Sequence, residues 1–154
     1  MSIIVRTAEQ MRDLGMRLAQ QCEAGDVIVL IGDLGAGKTT LVQGMGIGLG
    51  VSEPVTSPTF VIARVHAGRE GLRLIHVDAY RLGSGMELDD LDLDAELASG
   101  VTVIEWGQAH GQRLSQERLV IQIDALPDGS RQVQLQPIGK RWLATDIAAL
   151  ERDS

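Results

Sequence analysis

Cysteine, lysine and long apolar segments are all scarce in this chain of 154 residues. The single cysteine, Cys22, excludes an internal disulfide, and no cluster of cysteine and histidine residues suggests a zinc site. No apolar run approaches the roughly 20 residues that span a bilayer. The first residues lack the apolar core of a signal peptide. We therefore expect a cytoplasmic protein without membrane contact.

Positive charge is also in short supply, because 14 Lys and Arg face 21 Asp and Glu, for a net charge of −7. A protein that grips RNA or DNA alone usually shows a basic face, so strong direct binding of nucleic acid is disfavoured. The chain has only two lysines, Lys38 and Lys140. The position of each lysine is therefore informative.

The chain shows no internal repeat, low-complexity tract or linker, and its length suits one domain over 1–154. Apolar spacing predicts an amphipathic helix over 7–23 that begins with a capping box at Thr7. Continuous apolar runs at 26–31 and 101–106 predict buried, parallel strands. The other predicted elements are hairpins of 60–66 with 72–80 and of 118–125 with 131–137, an acidic helix within 85–99 and a terminal helix over 140–151. This order predicts an α/β fold with a mixed, mainly parallel central sheet flanked by helices.

One motif stands directly after the first apolar strand. The segment Gly32-Asp-Leu-Gly-Ala-Gly-Lys-Thr39 matches G-x-x-x-x-G-K-[ST], the phosphate-binding loop of P-loop NTPases. Its glycines allow backbone N–H groups to surround a polyphosphate, and the following helix adds a positive dipole. Lys38 would reach the terminal phosphates and the Thr39 hydroxyl would bind Mg²⁺. We expect the nucleotide to contact Asp33, Leu34, Gly35, Ala36, Gly37, Lys38, Thr39 and Thr40.

The helix that should begin at Thr39 is rich in glycine. Glycines occupy every second position from 44 to 50, and each interior glycine costs a helix about 1 kcal/mol relative to alanine. We therefore expect the last one or two turns of this helix to fray.

Two acidic residues end apolar strands and are candidates for the metal and the chemistry. Asp78 ends the run Leu74–Asp78, and Glu105 ends the run Val101–Glu105. A γ-phosphate needs Mg²⁺ and an acid at the end of a neighbouring strand, but spacing alone does not decide between the two. The chain has no K-x-D motif of the kind that holds guanine. ATP with Mg²⁺ is therefore the predicted cofactor.

The segment Thr56-Ser-Pro-Thr-Phe60 offers several hydroxyl groups before a predicted strand. Thr59 or its neighbours could present a hydroxyl to the γ-phosphate or to a water molecule. The same residues also suit an ordinary turn at the entry to a strand. Both interpretations stay open on the residues alone.

Four segments, in this order and at this spacing, closely resemble the TsaE family of bacterial ATPases. They are GDLGAGKTT (32–40), TSPTF (56–60), HVDAYRL (76–82) and EW (105–106). The resemblance covers nearly the whole chain. Each motif except the phosphate loop is weak evidence by itself, but the four motifs in this order are specific to the family. It implies a P-loop fold and slow ATP hydrolysis that becomes productive with the partner proteins TsaB and TsaD. The implied process is tRNA threonylcarbamoyladenosine synthesis, in which this subunit contacts tRNA only indirectly, through the complex.

The resemblance also implies roles for individual residues. Thr39 and Glu105 match magnesium positions, and Asp78 matches an acid needed for hydrolysis. The TSPTF segment resembles a switch loop, Trp106 matches a position beside the phosphates, and Arg131 matches one that stacks on adenine.

Two other functions share the phosphate loop with this reading. A small-molecule P-loop kinase has a similar length, but it needs an acceptor pocket and usually an arginine-bearing lid, and here the arginines are scattered. A docking module would use ATP only to order a surface. Phosphate release without a phosphorylated acceptor would distinguish an ATPase from a kinase. A tRNA modification that depends on ATP hydrolysis would distinguish an ATPase from a docking module.

Overall fold

The computed structural model describes residues 2–32, 37–52, 55, 63–78, 98–105, 117–143 and 150, with the backbone alone at Ala63 and Asp78. The strands, numbered in chain order, are β1 (Ser2–Val5), β2 (Val27–Gly32), β3 (Ala63–Ala67), β4 (Arg73–Asp78), β5 (Gly100–Glu105), β6 (Arg118–Ala125) and β7 (Arg131–Ile138). The helices are α1 (Ala8–Gln20), α2 (Lys38–Leu49) and α3 (Lys140–Leu143), with a short 3-10 turn at Arg69–Gly71.

The strands of the described residues form one seven-stranded sheet in the order β1-β7-β6-β2-β5-β4-β3. Its centre is parallel, because β2 pairs in parallel with both β5 and β6, and β5 pairs in parallel with β4. The pairs β1–β7, β6–β7 and β3–β4 at the two sides are antiparallel. The predicted mixed sheet flanked by helices is confirmed. Its parallel centre brings the carboxyl ends of four strands to one edge, where α/β proteins bind ligands.

The core lies on both faces of the central strands. On one face, alternate residues of β2 such as Ile28 and Leu30 pack in the same cluster as Leu14 and Leu18 of α1 and Leu41 of α2. The opposite face has its own buried cluster, which consists of Val27, Val29, Ile75, Val77, Ile104 and Val120. This double burial is the reason that β2 and β5 read as continuous apolar runs rather than as alternating ones. None of the helices within the described residues is long and apolar enough to cross a membrane.

Helix α1 begins as its sequence predicts. The Thr7 side chain accepts a hydrogen bond from the backbone N–H of Gln10 at 3.1 Å. The Gln10 side chain in turn accepts one from the backbone N–H of Arg6 at 2.7 Å, one residue before the N-cap position that a standard capping box would use. Two N-terminal donors are thereby satisfied, and the start of the helix is fixed next to β1.

The expected fraying of α2 is wrong, because the glycines are where α1 and α2 touch. A methyl group on Gly44 would overlap the carbonyl oxygen of Arg12, and one on Gly15 would overlap that of Leu41. A methyl group on Gly48 would lie 2.6 Å from the Cβ atom of Ala19. Close backbone contact between the two helices offsets the poor helix propensity of glycine, so α2 remains helical to Leu49.

The remaining predicted elements have mixed outcomes. Both hairpins are confirmed as β3–β4 and β6–β7, and the first helix and the two buried strands are confirmed within three residues of their bounds. Strand β1 was not predicted, although its alternating burial is typical of an edge strand. Most of the predicted acidic helix within 85–99 lies outside the described residues, as do residues 144–149 and 151 of the predicted terminal helix.

Candidate functional site

The predicted phosphate loop connects the carboxyl end of β2 to the amino end of α2, as its chemistry requires. Strand β2 ends at Gly32 and helix α2 begins at Lys38. Gly37 caps the helix in the left-handed region, with φ of 111°, a conformation that a residue with a side chain rarely adopts. No acidic residue lies in the first turn of α2 and no side chain caps it. The positive end of the helix dipole therefore faces the loop without a counter-charge from that turn.

Lys38 is a buried cation whose ammonium group lies against the end of β2. Its side chain is only 6% exposed, and its Nζ atom donates a hydrogen bond to the carbonyl oxygen of Gly32 at 2.7 Å. Burial of an ammonium group is costly unless polar groups surround it. The ammonium group therefore lies at the carboxyl end of β2, beside its last residue Gly32.

Thr39 and Thr40 follow in the first turn of α2 and are half-buried. Their position after Lys38 places both residues at the amino end of the helix, close to the loop. A threonine hydroxyl at this place is a hard oxygen donor, which is the kind of ligand that Mg²⁺ prefers.

Glu105 stands at the same edge of the sheet as the loop. It is the last residue of β5, and its Cα atom pairs with that of Leu30 in β2, two residues before Gly32. The residue is 5% exposed. On the other side of β5, Asp78 pairs with Glu105 at the end of β4. Glu105 is therefore on the strand next to the loop-bearing strand, and Asp78 is one strand farther away.

A cavity of about 180 Å³ adjoins the amino end of α2. Arg131, at the start of β7, lines it together with Gly37 and Thr40. The Arg131 guanidinium is anchored to its own turn, since Nη1 donates to the carbonyl oxygens of Gly129 at 2.9 Å and Ser130 at 3.3 Å. The remaining lining residues come from β1 and the start of α1 and are Val5, Arg6, Thr7, Ala8 and Met11, with Gly129 of the turn.

The structure thus brings together only part of the predicted site. Lys38, Thr39, Thr40 and Gly37 meet at the loop, Glu105 and the backbone of Asp78 lie at the same sheet edge, and Arg131 lines the neighbouring cavity. The other predicted residues lie outside the described part of the chain and are Asp33, Leu34, Gly35, Ala36, Thr59 and Trp106.

Sequence reasoning missed the contribution of the amino-terminal segment to the cavity. The sequence pattern predicts Thr7 only as the start of a helix and assigns no role to Arg6, because nothing local in the sequence says that β1 joins the sheet beside β7. The run Ile3-Ile4-Val5 was the available signal, as it is apolar, short and bounded by polar residues.

Comparisons with known proteins agree with this geometry. A family model described as threonylcarbamoyl adenosine biosynthesis protein TsaE matches residues 5–133. A curated relative from Streptomyces coelicolor is 50% identical over 146 residues, which is 91% of this chain and 99% of the relative. One from Bacillus subtilis is 38% identical over 136 residues, 87% of this chain and 84% of the relative. Both are named tRNA threonylcarbamoyladenosine biosynthesis protein TsaE.

A solved structure has the same architecture. The crystal structure of YdiB from Bacillus subtilis superposes with a TM-score of 0.80 at 31% sequence identity. The match covers 99% of this chain and 95% of that one. The similarity therefore extends over the whole fold rather than over the phosphate loop alone.

Proposed function

Since the chain belongs to the TsaE family, we propose that it binds and hydrolyses Mg-ATP as a subunit of tRNA threonylcarbamoyladenosine biosynthesis. The observation that carries the proposal is the buried Lys38, whose ammonium group lies against Gly32 at the mouth of a glycine loop. No acidic residue lies in the first turn of α2, where Lys38 stands. A buried cation beside the positive end of a helix favours a polyanion.

The residues present fit ATP with Mg²⁺. Gly37 allows the chain to turn closely around a phosphate, and the first turn of α2 adds the positive end of its dipole. The Thr39 hydroxyl and the Glu105 carboxylate are hard oxygen ligands, and Mg²⁺ at nucleotide sites typically uses one or two protein ligands besides phosphate oxygens and water. When bound, Mg²⁺ neutralises the charge that develops on the phosphates.

The chain's own residues would then share the work of hydrolysis. Lys38 binds the terminal phosphate oxygens, and the loop excludes water from that side. Glu105 would hold the cation from the strand next to the loop, and Asp78, whose backbone lies one strand farther away, would orient or deprotonate the attacking water. Thr59 remains a predicted contributor on the grounds of its hydroxyl group and of the resemblance, and Trp106 on the grounds of the resemblance alone.

The cavity beside Gly37 is the candidate position of the adenine ring. The Arg131 guanidinium is planar and can stack on an aromatic ring, and its anchoring to Gly129 and Ser130 keeps it at the cavity wall. The absence of a K-x-D motif in the sequence also favours adenine over guanine.

The proposed partners are proteins of the TsaB and TsaD type, and tRNA would meet this subunit only through that complex. The relatives' names support a role in the same modification. The net charge of −7 favours protein partners over direct tRNA contact, since a nucleic-acid-binding face is usually basic.

The two lysines of the chain provide the test. Lys38→Ala removes the buried cation, and Lys140→Ala removes the exposed lysine at the start of α3 as a matched control. Binding of a fluorescent ATP analogue and release of phosphate are measured alone, with the two partner proteins and with tRNA added. We expect Lys38→Ala to lose at least tenfold in ATP affinity or turnover, and Lys140→Ala to lose less than twofold.

Other outcomes would exclude the proposal or parts of it. Normal binding and turnover by Lys38→Ala would exclude the phosphate-loop assignment. Equal or better competition by GTP would exclude the adenine assignment. Phosphate that appears on a small acceptor would indicate a kinase, and ATP-dependent modification without any phosphate release would indicate a docking module.

A further inference from the structure

His76 occupies a buried position at which a polar side chain is unfavourable in free energy. It lies in the middle of β4, its side chain is fully buried, and its strand neighbours Ile75 and Val77 are core residues. Neither ring nitrogen has a hydrogen-bond partner among the described residues. Burial of a polar group without a partner costs free energy that leucine or valine at this position would avoid. A histidine here therefore calls for an explanation beyond packing.

The carboxylate of Glu105 lies close to this ring. The Nε2 atom of His76 lies 3.4 Å from Oε2 of Glu105. The strand register explains the contact, because His76 pairs with Val103 in the parallel strand β5 and Glu105 is the next residue on the same face. At 3.4 Å the contact is longer than a good hydrogen bond. Contacts of this kind in ligand-free sites often tighten when the ligand binds.

We propose that His76 is a positioning residue that orients the Glu105 carboxylate toward the bound cation. The proposal rests on the proposed function and adds to it a residue that touches neither nucleotide nor metal. An Nε2–H group that donates to Oε2 fixes the rotamer of Glu105 and leaves Oε1 for the cation. Groups that support a metal ligand in this way typically change metal affinity or activity by 10–100-fold when they are mutated.

The chain offers a matched control for the loss of a buried histidine. His66 in β3 is also buried, but it pairs with Leu74, away from the carboxyl edge of the sheet. Removal of His66 therefore tests what a buried imidazole contributes to the fold, without a change at Glu105.

Four variants separate positioning from packing. His76→Leu removes the donor and keeps an apolar side chain of similar length. His76→Gln places an amide N–H near the position of Nε2, whereas His76→Asn places one near Nδ1, too short to reach Glu105. His66→Leu is the control. The readouts are Mn²⁺ affinity by electron paramagnetic resonance with a non-hydrolysable ATP analogue, affinity for the same analogue in EDTA, and thermal unfolding.

We expect His76→Leu and His76→Asn to weaken Mn²⁺ binding at least tenfold, and to leave the metal-free affinity for the analogue within twofold of wild type. His76→Gln should recover most of the Mn²⁺ affinity, and His66→Leu should bind Mn²⁺ like wild type. If His76→Leu does not fold, the comparison of Gln with Asn decides the question.

The proposal is overturned if His76→Leu or His76→Asn binds Mn²⁺ as wild type does. It is equally overturned if Gln and Asn behave alike, or if metal-free affinity falls in parallel with metal affinity. Failure of the proposed function has a different signature, because the wild-type chain itself would then bind neither the analogue nor Mn²⁺ with it.

Discussion

The two ends of strand β2 use charge in opposite ways. At its amino end, Asp26 is buried and fully engaged: Oδ1 accepts from Nε of Arg141 at 3.1 Å, and Oδ2 accepts from Nη2 at 2.8 Å. The backbone N–H of Glu23 also donates to Oδ2 at 2.6 Å. Arg141 further donates to the carbonyl oxygen of Gln21 at 2.6 Å and lies 4.7 Å from the ring centre of Trp142.

At the carboxyl end of β2, the buried charged groups belong to the candidate nucleotide site. Lys38 is buried and contacts a backbone carbonyl of its own loop. Glu105 is buried beside a histidine at 3.4 Å rather than beside an arginine. At the amino end, these contacts connect the end of α1 with β2 and α3. The carboxyl end carries the residues of the candidate nucleotide site.

This difference separates stability from function along one strand. A buried charge pair with good geometry is costly to break, since the remaining partner is left buried and charged. Charged groups that bind a ligand are often kept at the expense of stability. Mutations at the two ends should therefore affect different measurements.

The largest expected effect is on stability, at the amino end. Asp26→Ala leaves the Arg141 guanidinium without its bidentate partner and should lower the free energy of unfolding by about 3 kcal/mol. The variant should bind ATP like wild type when it is folded. Urea unfolding and binding of a fluorescent ATP analogue provide the measurements.

Glu23→Gln is the matched control for this prediction. The Glu23 carboxylate also contacts Arg141, at 3.5 Å, but its side chain is 74% exposed. An exposed ion pair contributes little, so this variant should unfold within about 0.5 kcal/mol of wild type. Equal losses in the two variants would contradict the view that burial makes the Asp26 pair important.

The next effect is on function, at the carboxyl end. Glu105→Gln keeps the shape of the side chain and removes its charge, so it should depress ATP hydrolysis about 100-fold, or about 2.7 kcal/mol in the barrier. ATP affinity should change far less, and thermal stability should not fall. A carboxylate that acts mainly in the transition state can be neutralised with little loss of ground-state binding.

Asp124→Asn tests whether the loss of any carboxylate at this edge of the sheet would lower ATP hydrolysis. Asp124 is near the end of the neighbouring strand β6, where its carboxylate accepts from the Gln122 amide. The preceding residue, Ile123, packs in the cluster that contains α1 and α2. Because successive side chains of a strand point to opposite faces, Asp124 is on the other face of the sheet. This variant should hydrolyse ATP at the wild-type rate. A similar loss in both variants would place the chemistry elsewhere.

The smallest expected effect is a pH dependence at the amino end. Burial raises the pKa of the Cys22 thiol well above its ordinary range, and the nearby Asp26 charge raises it further while Arg141 lowers it. An unfolded thiol ionises near pH 8.5, whereas the folded one stays protonated. Unfolding therefore releases a proton above that pH, and the free energy of unfolding falls by about 1.4 kcal/mol per pH unit.

Cys22→Ala should remove this part of the pH dependence. Urea unfolding of both proteins at pH 7.5 and pH 9.5 gives the comparison, because the loss is absent below the pKa of the unfolded thiol. The difference between the two proteins should change by about 1.4 kcal/mol between the two pH values. Parallel pH profiles would contradict a raised pKa of this thiol in the folded chain.

The local parts of this fold were predictable from the sequence. The phosphate loop follows an apolar strand, and Pro127-Asp-Gly-Ser130 marks the β6–β7 turn in which the Asp128 carboxylate accepts from the backbone N–H of Ser130 at 2.9 Å. The glycines of α2 show the limit of such reasoning. Helix propensity predicts fraying, and only the approach of α1 reveals that Gly44 and Gly48 are contact positions.

The sequence by itself determined the glycine loop with Lys38, the apolar strands that end in Asp78 and Glu105, and the two hairpins. These features depend on residue types at short spacing, which local sterics and burial decide. The tertiary structure alone decided that β1 adds to β7 and brings Arg6 near Arg131 at one cavity. It also decided that Asp26 meets Arg141, 115 residues away, and that His76 meets Glu105. Such contacts join segments that are distant in sequence, so they follow from strand order and register rather than from any local pattern.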